Sequence, residues 1–389
     1  MKPHKRKQIE WYMALLALLI LVIAWWAGRK NWEDKQMDSL TKVYPDSLYD
    51  LTPLGESCWL LEGKETENRA YISTGKAKGY AGPIQVATRF NHLLRIEDVN
   101  ILSASETPSY LRRVKNKDFT GSFRDRPYDY NMTQIAETNA VSGATKTCTA
   151  IARATRKSSI RITRQLDHVE TITPEEPTVR FGAKETTIIL LFLLGMIYYL
   201  PHFKYKKLLR WITLSSGLLL LGFIYNSPIT LTHINSILAG FWPDWHTEIY
   251  AYLLIFGLLL ILLTSGKNPY CSHICPFGAM QEMLGRLGKA KPLKTRAVYL
   301  WIWLQRSLAW MAILIALATR NPGISDYVVF GAAFQLTASH VMFILLGSMI
   351  ILSLVVHRPW CNFLCPVRPV TDYIKTFRNK LIKPWIHGS

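Results

Sequence analysis

Four cysteines carry the sharpest chemical signal in this chain, because one pattern holding two of them occurs twice. Lys267-Asn268-Pro269-Tyr270-Cys271-Ser272-His273-Ile274-Cys275-Pro276 returns as His357-Arg358-Pro359-Trp360-Cys361-Asn362-Phe363-Leu364-Cys365-Pro366, with the cysteines ninety positions apart. Each copy has a proline, an aromatic residue and then Cys-x-x-x-Cys-Pro. A spacing of i, i+4 puts two sulfurs on one face of a helical turn, and the following proline limits how that turn continues. Together Cys271, Cys275, Cys361 and Cys365 make a four-thiolate ligand set of the kind that holds one [4Fe-4S] cluster, whose chemistry is electron transfer. Zinc uses the same number of ligands and is the rival; structural zinc sites more often show Cys-x-x-Cys spacing, which favours the cluster. Buried, unliganded cysteines would account for one copy, but poorly for two with matching flanks.

The elements that must position these cysteines are apolar runs. The 389 residues are 49% apolar yet include 46 basic against 27 acidic residues, so a membrane part and a polar part are joined in one chain. Runs suited to a ~30 Å hydrocarbon core, which takes ~20 helical residues, lie near Trp11 to Ala27, Thr186 to Tyr199, Leu208 to Tyr225, Ile249 to Thr264, Val298 to Ala318 and Val341 to Val356. That predicts about six transmembrane helices. Lysine and arginine crowd the N-terminus and the segments after the second, fourth and sixth runs, so both termini and both cysteine motifs are expected on the cytoplasmic side. Thiols there stay reduced, which argues against a structural disulfide. Most of the net charge of +19 lies at these membrane boundaries, where it meets anionic lipid. No nucleic-acid recognition pattern accompanies it, and none is expected to bind. Trp25 and Trp26 stand where a signal peptide would need a small-x-small cleavage site, so the first run reads as an uncleaved anchor.

Three parts follow: residues 1–30, a basic N-terminus and first anchor; 31–181, an inserted extracytoplasmic α+β domain; and 182–389, a five-helix membrane domain. In the middle part Ala70 to Ser73, Ile84 to Phe90 and Ile96 to Ser103 read as strands of a twisted antiparallel sheet, with turns at Gly75 to Gly82 and Asn91-His92. Asp118 to Pro127 reads as a loop and Thr145 to Lys157 as a helix, while Lys30 to Leu54 and Leu166 to Glu185 read as connectors. The loop Asn139-Ala140-Val141-Ser142-Gly143-Ala144-Thr145-Lys146-Thr147 runs into that helix. Small residues let backbone approach a bulky ligand, and amides at a helix N-terminus favour a phosphate. On these letters alone an ordinary Ser/Thr helix cap is the favoured explanation of the loop.

Gly79-Tyr80-Ala81-Gly82-Pro83-Ile84, Glu106-Thr107-Pro108-Ser109-Tyr110 and Ser142-Gly143-Ala144-Thr145 resemble the landmarks of the FMN-binding domain of Rnf and Nqr flavin subunits and NosR-type proteins. In that family FMN is joined through its phosphate to the threonine ending the SGAT-type motif, in a reaction catalysed by a flavin transferase. The resemblance implies FMN on Thr145, with Ser142, Gly143 and Ala144 around it, Thr147 as a secondary attachment candidate, and Glu106, Thr107 and Tyr110 against the flavin. The family's usual aspartate three residues before the motif's serine is Asn139 here, which keeps the shape and loses the charge.

A flavin domain followed by helices with two CxxxCP motifs resembles the NosR/NirI family, and the membrane half resembles NapH-type quinol dehydrogenase subunits. Such relatives commonly continue into a domain with two ferredoxin-type cysteine sets, whereas this sequence ends 24 residues after Cys365, so no internal ferredoxin module is expected. The resemblance implies electron transfer between a cytoplasmic-side cluster, or the quinol pool, and an extracytoplasmic FMN. An outside redox acceptor and a cytoplasmic or membrane electron-transfer subunit are the implied partners. Two alternatives stand: a membrane redox sensor or maturation factor, and a zinc-stapled scaffold. The expected topology raises a difficulty, because the two centres would lie on opposite faces of a ~30 Å apolar layer, too wide for one efficient electron hop. A bridging quinone or partner subunit is the preferred answer; a deeper cluster, or docking of the flavin domain into the membrane half, would also close the gap.

The other two cysteines, Cys58 and Cys148, allow a disulfide, although Cys148 also fits as a packed helix residue. His273 reads as a boundary residue rather than a ligand, since its counterpart is Phe363, and His202 and His357 read as interfacial. His233, Asp244, His246 and His340 fall near the outer surface, where they suit proton acceptance from quinol or, more simply, ordinary loop positions.

Overall fold

The computed structural model of the chain describes residues 3–45, 47–63, 69–166, 181–246, 248–292, 296–324, 327–336 and 338–382. Helix α1 (Pro3–Val43) is one continuous rod. Its apolar stretch Glu10–Asn31 is long enough to cross a membrane, and it continues well beyond, so most of the segment expected as a connector from Lys30 is helical. Leu40 and Tyr44, at its far end, pack with Leu61, Ile72 and Ala87 on one face of a sheet.

That sheet is an antiparallel meander of β1 (Tyr49–Gly55), β2 (Cys58–Gly63), β3 (Arg69–Lys78), β4 (Pro83–Phe90) and β5 (Ile96–Ala104), paired in chain order. The three strands expected from sequence are β3, β4 and β5. The first two strands fall where none was expected; β1 is a mostly exposed edge that contains Pro53, and a proline within a run counts against a strand. The expected turn at Gly75 starts only at Gly79, because β3 runs through Gly75. A side chain at Gly75 would strike the Ala154 carbonyl, so glycine there lets a helix lie close on the sheet.

That helix is α4 (Thr145–Gln165), eight residues longer than expected. Its inner face, Cys148, Ala150, Ile151, Ala154 and Ile162, packs on Ile84, Val86 and Phe90; each large aliphatic side chain so buried contributes ~1.5–3 kcal/mol. Two short helices, α2 (Pro108–Asn116) and α3 (Met132–Thr138), close the core, and a 3₁₀ turn at Phe119–Phe123 lies within the expected loop. The Pro174 to Pro177 cluster expected as a linker lies outside the described residues.

The membrane half opens with α5 (Ala183–Ile197) and α6 (Lys206–Ser216), the latter continuing as a π-helix over Gly217–Ile224. After α7 (Leu231–Leu238) come α8 (Ile249–Ser265), α9 (Pro276–Leu287), α10 (Arg296–Thr319) and α11 (Phe330–Phe334). The last three are α12 (His340–Val355), α13 (Pro359–Phe363) and α14 (Val367–Phe377). All six expected apolar runs are helical. By length and composition three of them suffice to cross a membrane, Glu10–Asn31, Lys206–Ile224 and Val298–Thr319, while α8 and α12 are shorter apolar helices. Gly28 of α1 lies against the Leu317 carbonyl of α10 with no room for a side chain, the close backbone approach typical of membrane helix pairs.

The sheet domain sits on the membrane half through specific contacts. Tyr110 donates its hydroxyl to Gln335 Oε1 at 3.1 Å, Ser105 Oγ to the Arg320 carbonyl at 3.1 Å, and Lys146 pairs with Glu248 at 2.6 Å. Ser236 Oγ bonds the Ala81 carbonyl. Gly323 lies against the Thr107 amide, where any side chain would clash.

Candidate flavin and cluster sites

The repeated cysteine motifs fold alike and face each other. Each follows an apolar helix, α8 or α12, and each makes one short turn before a proline opens the next helix. The amide of Cys275 bonds the Tyr270 carbonyl at 2.8 Å and that of Cys365 the Trp360 carbonyl at 2.9 Å. The two aromatic residues are buried plugs, each 1% exposed. All four cysteines line one cavity of about 420 Å³, with Tyr270, Phe330, Arg358, Arg368 and Lys375 among its other walls.

Backbone carbonyls of the motifs are held from outside. Gln305 of α10 donates its amide to the Cys361 and Cys365 carbonyls at 3.1 and 2.9 Å. Arg358 donates to the Cys271 carbonyl at 3.2 Å and to Glu282 at 2.8 Å, while Glu282 also receives Arg210 and His357. Burial works against the charge of Glu282, but Arg358, Arg210 and the His357 contact outweigh it and hold the carboxyl below its usual range. Burial first, and neighbouring thiols second, push Cys271 and Cys361 up to about 12, so metal binding must displace protons from the free thiols.

The second cavity, about 650 Å³, lies at the seam between the two halves. The sheet domain contributes Tyr80, Thr107, Tyr110 and Ser142 to Thr147; the membrane half contributes Lys184, Thr230, His233, Tyr250, Phe330 and Gln335. Gly143 has φ +77°, a left-handed conformation that glycine adopts without strain, and it turns the chain into the first residue of α4, Thr145. Thr145 is exposed to the cavity side, whereas Thr147 is fully buried, with its hydroxyl 3.4 Å from Glu106 Oε2. Glu106 does not line the cavity. It lies behind the loop, its Oε1 accepting from the Ala81 amide at 3.2 Å, and burial pushes its carboxyl up to about 7. His233 caps α7 through Thr230, meets the Tyr80 ring edge at 5.6 Å, and burial, with Lys146 nearby, lowers it to about 3. Lys184 lies 3.6 Å from the centre of the Tyr250 ring.

One wall is common to both cavities. Phe330 lines the flavin-side cavity and the cysteine cavity alike. Beside it, Pro228 and Thr230 face the first and Ile229 faces the second, the alternation of an extended segment. The Ile229 amide donates to the Tyr270 hydroxyl at 2.8 Å, tying that wall to the first cysteine motif.

Comparison with known proteins matches residues 79–158 to the FMN-binding domain family, and residues 248–294 and 339–384 to the 4Fe-4S binding domain family. This chain carries an FMN-binding domain and a 4Fe-4S binding domain. It is 25% identical over 202 residues to Protein NirI of Paracoccus denitrificans, covering 46% of this chain and 29% of NirI. Over 114 residues it is 25% identical to one subunit of the proton-translocating ferredoxin:NAD(+) oxidoreductase complex of Clostridium ljungdahlii, covering 28% of this chain and 62% of that relative. The chain thus spans under a third of the one relative and under two thirds of the other, and the pair agrees with the resemblance to NosR/NirI-type flavoproteins.

The FMN-binding domain has features that fit its cofactor. The Thr107 hydroxyl is buried without a hydrogen-bond partner among the described residues, yet Thr107 lines the cavity, which leaves a polar group for a ligand to satisfy. Small residues and amides at the start of α4 suit a phosphate. The 4Fe-4S binding domain also fits its own. Four cysteine thiols line one cavity, a soft four-sulfur donor set of the kind that holds an iron-sulfur cluster.

Several residues of these sites were not singled out from sequence: Gln305, Glu282, Phe330, Gln335 and Lys184. Gln305 did carry a signal, a polar side chain within an apolar run. Cys58 and Cys148 are buried free thiols and form no disulfide. His273 packs its ring against those of Tyr198 and Tyr199, tilted to one and edge-on to the other, and does not line the cysteine cavity.

Proposed function

We propose that this chain passes electrons between a [4Fe-4S] cluster held by Cys271, Cys275, Cys361 and Cys365 and an FMN joined through its phosphate to Thr145. The observation that supports this reading is the common wall: one phenylalanine, Phe330, borders both cavities. Docking of the flavin domain into the membrane half removes the need for a quinone or partner centre between the two cofactors. FMN suits such a junction because it exchanges one or two electrons. The chain's own residues orient and enclose. Ser142 to Thr145 present the attachment hydroxyl, Tyr80 and Tyr110 wall the flavin side, and Arg358 and Gln305 fix the cysteine backbone.

In this reading the basic segments flanking the cysteine motifs face the cytoplasm, in the inner membrane, and the flavin domain serves an extracytoplasmic acceptor. Electrons enter at the cluster from the quinol pool or an electron-transfer subunit, and a flavin transferase loads Thr145. The test is composition and spectrum of the purified protein. One flavin with four iron and four acid-labile sulfide per chain is expected; zinc without iron would sink the reading. Flavin that stays attached through denaturation in Thr145→Ala would remove that residue as the attachment point.

A further inference from the structure

The two cysteine motifs match in register, and one of the positions at which they differ lies three residues before the first cysteine: Asn268 in one copy, Arg358 in the other. Asn268 acts locally, its Oδ1 accepting from the Cys271 amide at 3.0 Å. Arg358 has a left-handed backbone, φ +49°, unusual for a non-glycine residue and a sign that the surroundings fix it. Its side chain crosses to the other copy, with Nη1 3.2 Å from the Cys271 carbonyl and Nε 2.8 Å from Glu282 Oε2. That leaves Nη2, buried and without a partner among the described residues, on a residue that lines the cysteine cavity. An unmet donor on a buried guanidinium is costly unless something in the cavity accepts from it.

We propose that Arg358 is a positioning residue for the cluster, held by Glu282 so that its free donor and its positive charge face the cluster's sulfurs and raise the reduction potential. The inference rests on the cluster reading above. A cluster with four thiolate ligands is net negative and becomes more so on reduction, so a fixed cation and an N–H donor beside it favour the reduced form. Arg358 takes up no electron and moves no proton. A single carboxylate, Glu282, faces Arg210, Arg358 and His357, so the group retains positive charge to set against the cluster.

The test is the cluster's midpoint potential, followed by electron paramagnetic resonance in a redox titration, with iron and sulfide counted in each preparation. Arg358→Gln should lower the reduction equilibrium about tenfold, which is ~59 mV for one electron, with iron content equal to wild type. Arg358→Lys, which keeps the charge and loses the fork, should fall between the two. An unmoved potential in fully loaded R358Q would overturn this inference alone. Loss of iron in R358Q and R358K alike would also overturn it, making Arg358 a folding residue. Absence of iron and sulfide from the wild type would overturn the cluster reading together with the inference.

Discussion

The cysteine cavity is lined by two copies of one short pattern, whereas the flavin-side cavity is assembled from two unlike parts, a loop and turn of the sheet domain and the ends of membrane-half helices. Loss of a motif residue should therefore empty the first site and spare the second. The second should depend as much on docking between halves, through contacts such as Tyr110 to Gln335 and Gly323 against Thr107, as on its own loop. Phe330 belongs to both, and the proposed electron path between the two sites rests on that shared wall.

The largest effect that separates the two cavities is expected from Cys365→Ala. Iron and sulfide should fall to near zero while attached flavin is unchanged, as measured by metal analysis and in-gel fluorescence; loss of both together would mean that the cavities do not form independently. The converse is Thr145→Ala, which should abolish denaturation-resistant flavin and leave the iron count intact. Thr147→Ala tests the division between the two threonines: it should keep the attached flavin and cost about 1–2 kcal/mol, read by chemical unfolding, because it removes a buried hydroxyl from Glu106.

A smaller effect is pH-dependent and confined to the flavin side. Burial raises Glu106 from 4.5 to about 7, so the fold favours its protonated form. That stability is fully present below about 4.5 and is lost as pH rises through about 7. Thermal unfolding of the flavin domain should therefore move to lower temperature as pH rises from about 4.5 to about 7 and level off above it, and Glu106→Gln should flatten the dependence. The smallest effect is expected from Lys146→Ala at the seam. Half of the Lys146 side chain is exposed in its pair with Glu248, so solvent screening limits the loss to about 0–1 kcal/mol; a larger one would show that the seam relies on charge.

This contrast also explains what was legible in the sequence. A repeated motif carries its own register, so the four cysteines were readable as one set before any fold was known. Strands β3 to β5 were readable as runs holding β-branched residues and bounded by turn residues; β1 was not, being a mostly exposed edge with Pro53 inside it, and the helical extension of α1 past Asn31 is polar and gives no membrane signal. The Ser142 to Thr145 loop was readable only as a cap or a ligand loop, since a short run of small residues serves either. Neither Phe330 nor Gln335 was readable as a site residue, because each gains its role from a partner more than two hundred positions away or from a cavity on its far side. The ~30 Å gap expected between the cofactors came from placing the cysteine motifs and the flavin loop on opposite faces of an apolar layer; the contacts of Gly323 with Thr107 and of Tyr110 with Gln335 set the sheet domain onto the helices.

The central claim is that electrons cross between cluster and flavin within one chain. Its most direct test is to reduce the cluster of the purified, quinone-free protein with a fast one-electron reductant and follow flavin absorbance by stopped flow. The account predicts a first-order phase whose rate is independent of protein concentration and of added quinone. Flavin that stays oxidised until quinone or a partner protein is supplied would contradict it.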